Sequence, residues 1–279
     1  MGAGLITTLL ALSLAAFSEA KPLKRRADAN QAATVGYATL NGSTTGGAGG
    51  GSTTVTSLSA LKDCAKQSGP AISIVSGTIS GNDVLPVTSD TTIIGKDYKA
   101  VLRGVGLKIN GKKNGDKVRN VIARNLGIGK VDSAKGDAIG IQYVENIWID
   151  HCDLQGDKDK YDGLVDITHG TDFVTVSSSF LHNHWKASLV GHSDSNGAED
   201  TGHLTGAHFL GEDNVFVGPK KPLYCVDGEG LAEATDENFS GVENLCPYGR
   251  VSVPYSYNRI SSSQVKSAVV GTAGATLRF

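Results

Sequence analysis

Six carboxylates crowd into 17 residues of this chain, namely Asp150, Asp153, Asp157, Asp159, Asp162 and Asp166, and Asp137 stands 25 positions before Asp162. Charges of one sign held that close repel unless a cation or solvent separates them. Carboxylate oxygens are hard ligands, so an ion bound among them would be calcium rather than zinc or copper. Asp162 and Asp166 flank Gly163-Leu164-Val165 in a strand-turn context, where both can face one side. With Asp137 they are the expected metal site, whereas Asp153, Asp157 and Asp159 read as solvated turn formers. An EF-hand fails on spacing, because Asp157-x-Asp159-x-x-Asp162-Gly163 is one residue too long and no Glu follows at the twelfth place.

All seven histidines fall between His151 and His208, which raises zinc. His182 and His184 are expected to alternate along one strand and share a face. A structural zinc would add cysteine or a second regular histidine pair, and neither is present, so polar packing or substrate contact is preferred. Lys186 closes the segment His184-Trp185-Lys186. Beside a calcium ion and a cleft it could grip an anionic sugar or be tuned toward use as a base. Lys220 and Lys221 read as a solvated turn.

The elements that must position these groups are short, β-branched strands punctuated by Gly, Asn and Asp. The pairs Ile93-Ile94, Val121-Ile122, Ile147-Trp148 and Val174-Thr175 recur 28, 26 and 27 residues apart. Such a period means repeated coils. Leucine-rich repeats would need their own signature, and a β-sandwich would show two-residue hairpin turns, which are scarce. The pattern predicts an all-β parallel β-helix with coils about 4.8 Å apart. Residues one period apart then touch, which brings Asp137 beside Asp162 or Asp166 and sets Lys186 one coil above on the same side. A helix over Thr56–Lys66, with Ser57 as N-cap and Leu58, Leu61 and Ala65 on one face, is expected to cover the open first coil. Residues 42–53 read as a flexible Gly-rich stretch and not a phosphate loop, since no Gly-Lys-Ser/Thr follows. After Val174 the rhythm breaks, and the next apolar strand is His208-Phe209-Leu210.

Lys and Arg total 26 against 28 Asp and Glu, a formal charge of −2, which argues against a nucleic-acid binder. Ala3 to Phe17 is an apolar run ending in Ser18-Glu19-Ala20, the pattern of a signal peptide over 1–20. It is too short to span a membrane. Lys24-Arg25-Arg26 reads as a processing site within a 21–26 segment, leaving one domain over 27–279. Removing residues 1–26 takes away Lys21, Lys24, Arg25 and Arg26 but also Glu19, so the charge falls from −2 to −5. Asn41 and Asn238 head glycosylation sequons. The four cysteines allow three pairings; Cys225 with Cys246 closes the shortest loop, and Cys152 reads equally well as a buried thiol.

At Trp148-Ile-Asp-His151, Tyr161-Asp-Gly-Leu-Val-Asp166, Val174-Thr-Val-Ser177, His182-Asn-His-Trp-Lys186 and Leu189-Val-Gly-His-Ser-Asp194 the chain resembles the extracellular pectate lyases of polysaccharide lyase family 1, fungal type. The resemblance runs from about Val35 to Phe279. It implies a right-handed parallel β-helix, secreted and monomeric, that cleaves pectate (polygalacturonate) by calcium-dependent β-elimination. It also implies Asp137, Asp162 and Asp166 as Ca2+ ligands and Lys186 at the substrate carboxylate. The family's catalytic arginine segment has no counterpart: after Arg124 the arginines are Arg250, Arg259 and Arg278. About two coils are expected to be missing between His203-Leu204 and Gly206-Ala207. Two expectations follow, an active lyase or a catalytically impaired pectate-binding β-helix. A polygalacturonase, needing paired acids, fits less well.

Overall fold

The computed structural model describes residues 26–157, 159–191, 208–216, 231–234, 253–260 and 262–279. Among them the chain winds through stacked coils. The first carries β1 (Gly51–Val55) and α1 (Leu58–Ala65), the next β2 (Ala71–Val75) and β3 (Thr78–Pro86), then β4 (Thr91–Gly95) and β5 (Val101–Asn110). Three coils of three strands follow: β6 (Val118–Arg124), β7 (Gly127–Gly129) and β8 (Ile139–Gln142); β9 (Val144–Asp150), β10 (Asp153–Gln155) and β11 (Val165–Thr168); β12 (Asp172–Ser177), β13 (Phe180–His182) and β14 (Ser188–Val190). β15 (His208–Gly211) pairs in parallel with β16 (Leu231–Ala234), and α2 (Ser262–Val269) follows.

One face is the parallel sheet β1-β2-β4-β6-β9-β12. The long strand β5 serves both other faces, its start pairing with β7 and its end with β8. From there β10 and β13 extend the second face, and β11 and β14 the third. This is a parallel β-helix, as the repeat predicts. Its interior is a continuous apolar stack that includes Leu102, Ile109, Ile139, Ile147 and Leu154, all fully buried.

The helix that closes the first coil forms for the expected reason. Ser57 Oγ accepts the Ala60 N–H at 3.3 Å, and Leu61, Cys64 and Ala65 turn inward. Its last turn is also held, because Thr88 Oγ1 donates to the Ala65 carbonyl at 3.1 Å.

Three expectations change. Val121 pairs with Thr91 rather than Ile93, so that step is 30 residues, while Val121, Ile147 and Val174 keep 26 and 27. Thr91 and Thr92 are buried, and Thr92 Oγ1 accepts the Gly47 N–H at 2.8 Å; threonines stand where an apolar count looks for isoleucine. The Gly-rich stretch is not a flexible tether: residues 51–55 are β1, and a Cβ on Gly47 would come within 2.0 Å of the Ala71 carbonyl oxygen. Glycine there permits close packing of backbone on backbone. Finally, the sequence pattern predicts a single helix beyond the signal segment, and α2 is a second.

Left-handed residues stack from coil to coil, Asn120 and Asn146 in one column within β6 and β9, Asn125 and His151 in another at the corners just after those strands. Asn tolerates that region by local hydrogen bonding. Asn120 Oδ1 accepts the Thr45 and Gly46 N–H groups at 2.7 Å each, and Asn125 exchanges two bonds with Leu277. The columns thus fasten the N-terminal arm and the C-terminal tail to the helix. Between them Arg124 and Asp150 form a buried ion pair at 2.7 Å. Asp150 also accepts from Ser177 Oγ at 2.7 Å, and the Arg124 guanidinium lies 4.9 Å from the Trp148 ring centroid. Burial alone would raise Asp150, but His151, Ser177 and Arg124 together hold its carboxyl below the usual range.

Cys64 and Cys152 are buried free thiols, and burial pushes Cys152 up to about 12. Residues 1–25, Lys220, Lys221, Asn238 and the pair Cys225 and Cys246 lie outside the described residues. No helix among the described residues is long and apolar enough to cross a membrane.

Removing one partner of a buried pair leaves the other charge uncompensated, so Asp150→Ala is expected to cost about 3–5 kcal/mol in chemical denaturation. A carboxyl depressed in the folded state stabilises above its unfolded pKa of about 3.9 and loses that contribution as pH falls further. The stability gap between the wild type and Asp150→Asn should therefore be full at pH 6 and shrink below about pH 4.

Candidate functional site

Two of the three aspartates sit on the loops that lead into the third face and the other lies in one of its strands. Asp137 ends the connection from β7 to β8, Asp162 lies near the end of that from β10 to β11, and Asp166 is the second residue of β11. The ladder pairs Val165 with Ile139 below and Ser188 above. In step with it, Ala138 N–H bonds the Gly163 carbonyl at 3.1 Å and Leu164 N–H bonds the Ala187 carbonyl at 3.2 Å. Asp137, Gly163 and Lys186 consequently stand in one column. Asp166 stands three register positions further along, over Gly140 and under Leu189.

Gly163 makes the arrangement possible. A Cβ there would lie 2.5 Å from Asp166 Oδ1 and 2.9 Å from Asp137 Oδ1. The missing side chain is the space into which both carboxylates point. The sequence carries this residue inside Asp162-Gly-Leu-Val-Asp166, but only the register explains it.

The carboxyls of Asp137 and Asp166 face the same gap, and both residues are half-buried. Burial raises Asp137, and the charge of Asp162 raises it further. Burial and then the Asp137 charge push Asp166 up to about 7, against one opposing contact, the Leu189 N–H at 3.2 Å from its Oδ1. Two desolvated carboxylates facing one gap favour a counter-charge, and hard oxygens at that spacing suit a divalent cation of the calcium class. Asp162 is turned toward Lys186, whose Nζ lies 3.6 Å from its Oδ1. No three ligating side chains among the described residues form a finished coordination shell. The Asp162–Lys186 pair is exposed on both sides and so weakly held.

The histidine expectation is corrected. β13 ends at His182, and Asn183 adopts φ 58°, so His184 leaves the strand and the two rings do not share a face. His182 bonds Asp153 at 2.8 Å. His184 takes the Lys186 N–H on Nδ1 at 3.0 Å and meets the Tyr161 carbonyl with Nε2 at 3.1 Å. It ties the turn that carries Lys186 to the loop that carries Asp162, a positioning role that sequence alone does not signal. Gly156 provides room for its ring. Asp157 is a turn former as expected, accepting the Asp159 N–H at 3.2 Å. His192, His203 and the junction after it lie outside the described residues.

Residues 3–217 match the family profile described as pectate lyase. Pectate lyase A of Aspergillus niger is 44% identical, with 91% of each chain covered. A protein of Aspergillus fumigatus named probable pectate lyase A is 43% identical over 98% of this chain and 99% of its own. That alignment spans 328 positions against 279 residues here, so at least 49 positions of the relative have no counterpart, in keeping with loss of about two coils. Among solved structures, a pectate lyase from Bacillus sp. N165 in complex with trigalacturonate matches with a TM-score of 0.69 at 24% identity, covering 87% of this chain and 98% of that one. Pectate lyase II of Xanthomonas campestris matches with a TM-score of 0.67 at 21% identity, covering 87% and 98%. These neighbours share the right-handed parallel β-helix.

Gly163→Ala would drive a methyl group between Asp137 and Asp166. The variant is expected to keep its thermal unfolding within a few degrees, because only side-chain ends must move, and to bind calcium at least about tenfold more weakly, a loss of about 1.4 kcal/mol. Calorimetric titration with calcium measures the second effect.

Proposed function

The chain belongs to the pectate lyase family, and from that premise we propose that it cleaves polygalacturonate by calcium-dependent β-elimination, with Asp137, Asp162 and Asp166 as the calcium ligands. The observation that carries the reading is the convergence of Asp137 and Asp166 on the gap left by Gly163, with Lys186 stacked above it. Calcium held there would neutralise a uronate carboxylate and so acidify the adjacent C5 proton. The elimination removes that proton, breaks the bond from C4 to the leaving glycosidic oxygen and forms the C4–C5 double bond of an unsaturated uronide.

The chain's own residues have separable tasks. The Lys186 ammonium, exposed at the rim, draws the substrate carboxylate toward the acids and offsets their charge. In its unprotonated form the same amine is a base at the site, in a chain without an arginine between Arg124 and Arg250. His184 fixes the turn from which Lys186 projects. Trp185, 69% exposed next to it, offers an apolar face to a sugar ring. The expectation of a chain reduced to binding finds no support, since relatives covering nine-tenths of it are named lyases. We read the protein as secreted, acting where its polymer occurs, and as a monomer.

Purified protein on polygalacturonate should raise the ultraviolet absorbance of unsaturated product, and a chelator should abolish the rise. Lys186→Ala should lower kcat by about 10²–10⁴, the usual contribution of a positioned acid–base group. Product formation that persists in chelator, or a wild type that forms none with calcium present, refutes the proposal.

A further inference from the structure

The corner joining β4 to β5 gathers positive charge that the acid site does not use. Lys96, Tyr98 and Lys99 of this turn meet Arg278 and Arg26 around a depression of about 490 Å³, with Asp97 and Phe279 completing it. The turn is rigid: Ala100 N–H bonds the Asp97 carbonyl at 3.0 Å, and Asp97 Oδ1 accepts the Lys99 N–H at 2.8 Å. The tail is bound to it, with Phe279 N–H on the Lys96 carbonyl at 3.0 Å and Ala27 N–H on the Arg278 carbonyl at 2.8 Å. None of Lys96, Lys99 and Arg278 has a carboxylate within ion-pair distance among the described residues. Tyr98 is 60% exposed, and the Lys99 ammonium lies 5.7 Å from its ring centroid.

We propose that this corner is a second carbohydrate site, which takes an acidic oligosaccharide independently of calcium. Cations held together by backbone geometry, with no acid to pair them, repel one another until an anion arrives. With Arg26, Lys96, Lys99 and Arg278 against Asp97 alone among its charged side chains, the depression is net positive, and such a field raises the local concentration of a polyanion. The exposed ring adds what a simple anion would not need, a flat apolar surface for the C–H face of a pyranose. Lys96, Lys99 and Arg278 then meet the carboxylates of successive uronate units. Arg26, whose Nη2 donates to the Phe279 carbonyl at 2.5 Å, belongs to the segment expected to be processed away. Cleavage after it would leave the ammonium of Ala27 at the same place, so the charge persists.

The choice of a uronate ligand rests on the lyase reading above. The corner joins the first and second faces, whereas the acids precede the third, so a long polyanion can occupy both places. A second contact on the same polymer raises avidity without altering the chemistry, and it gives an acidic protein a foothold on an acidic chain.

The test uses the full chain in chelator, with trigalacturonate as probe and calorimetry at low salt as readout. The wild type should bind, and the double variant Tyr98→Ala/Lys99→Glu should bind at least about tenfold more weakly while unfolding at the same temperature, since both side chains are exposed. With calcium restored, the variant should cleave trigalacturonate at the wild-type kcat but show a raised KM on the polymer. Absence of binding by the chelated wild type, equal binding by the variant, or equal binding of neutral maltotriose overturns the proposal. A wild type that binds in chelator but forms no unsaturated product with calcium refutes the lyase reading alone.

Discussion

The ladder between β8 and β11 locks Val165 onto Ile139 and Asp166 onto Gly140, and nearly every functional placement in the molecule descends from that register. Parallel strands lie about 4.8 Å apart, and Asp137, three register positions before the column of Asp166, meets it because both side chains turn into the gap that Gly163 leaves. The same pairing that fills the interior with Ile139, Ile141 and Val165 therefore forces Asp137 against Asp166 outside it. Slipping the ladder by one residue would expose the apolar set and separate the acids together. Core packing and charge crowding are two consequences of one constraint.

That constraint needs anchors at the places where a stack of coils is weakest. A solenoid end exposes unpaired strand edges and apolar side chains. Here α1 seals the first coil, and the arm and tail are stitched along the first face by Asn120, Asn146 and Asn125. Arg124 and Asp150 join neighbouring coils beneath the tail, and the Phe279 ring centroid lies 5.5 Å from the guanidinium. The buried pair thus ties strand β6 to β9 and both to the chain's last residues, which are the ones that shape the basic corner.

How much of this the sequence displayed depends on whether the signal is local. Ser57 and the spacing of Leu58, Leu61 and Ala65 are local, and they described the capping helix to within two residues. The repeat was legible because β-branched pairs recur, and with it the convergence of Asp137 and Asp166. Thr91 and Thr92 misled by two positions, since a hydroxyl that finds a partner is buried as readily as a methyl group. The packing of residues 46–50 was hidden because glycine signals freedom when read alone and close approach only when its neighbour is known. Gly163 and His184 were opaque for the same reason: the space one leaves and the bonds the other makes belong to residues of adjacent coils.

The shortness of the chain relative to its family leaves the register at the three acids intact, although it coincides with the lack of an arginine between Arg124 and Arg250. In a stack where each repeat contacts its neighbours, the geometry at one level is set by the levels directly above and below it. The acids depend on β8, β11 and β14, whose three coils are consecutive and in register. The expected deletion falls after His203, beyond the last of them. Removing coils there shortens the third face and leaves the placement of Asp137, Asp162 and Asp166 to the strands that hold them now. A shorter groove would then grip fewer sugar units at the acids, and in such a chain contacts with the polymer elsewhere on the surface carry a larger share of its hold on substrate.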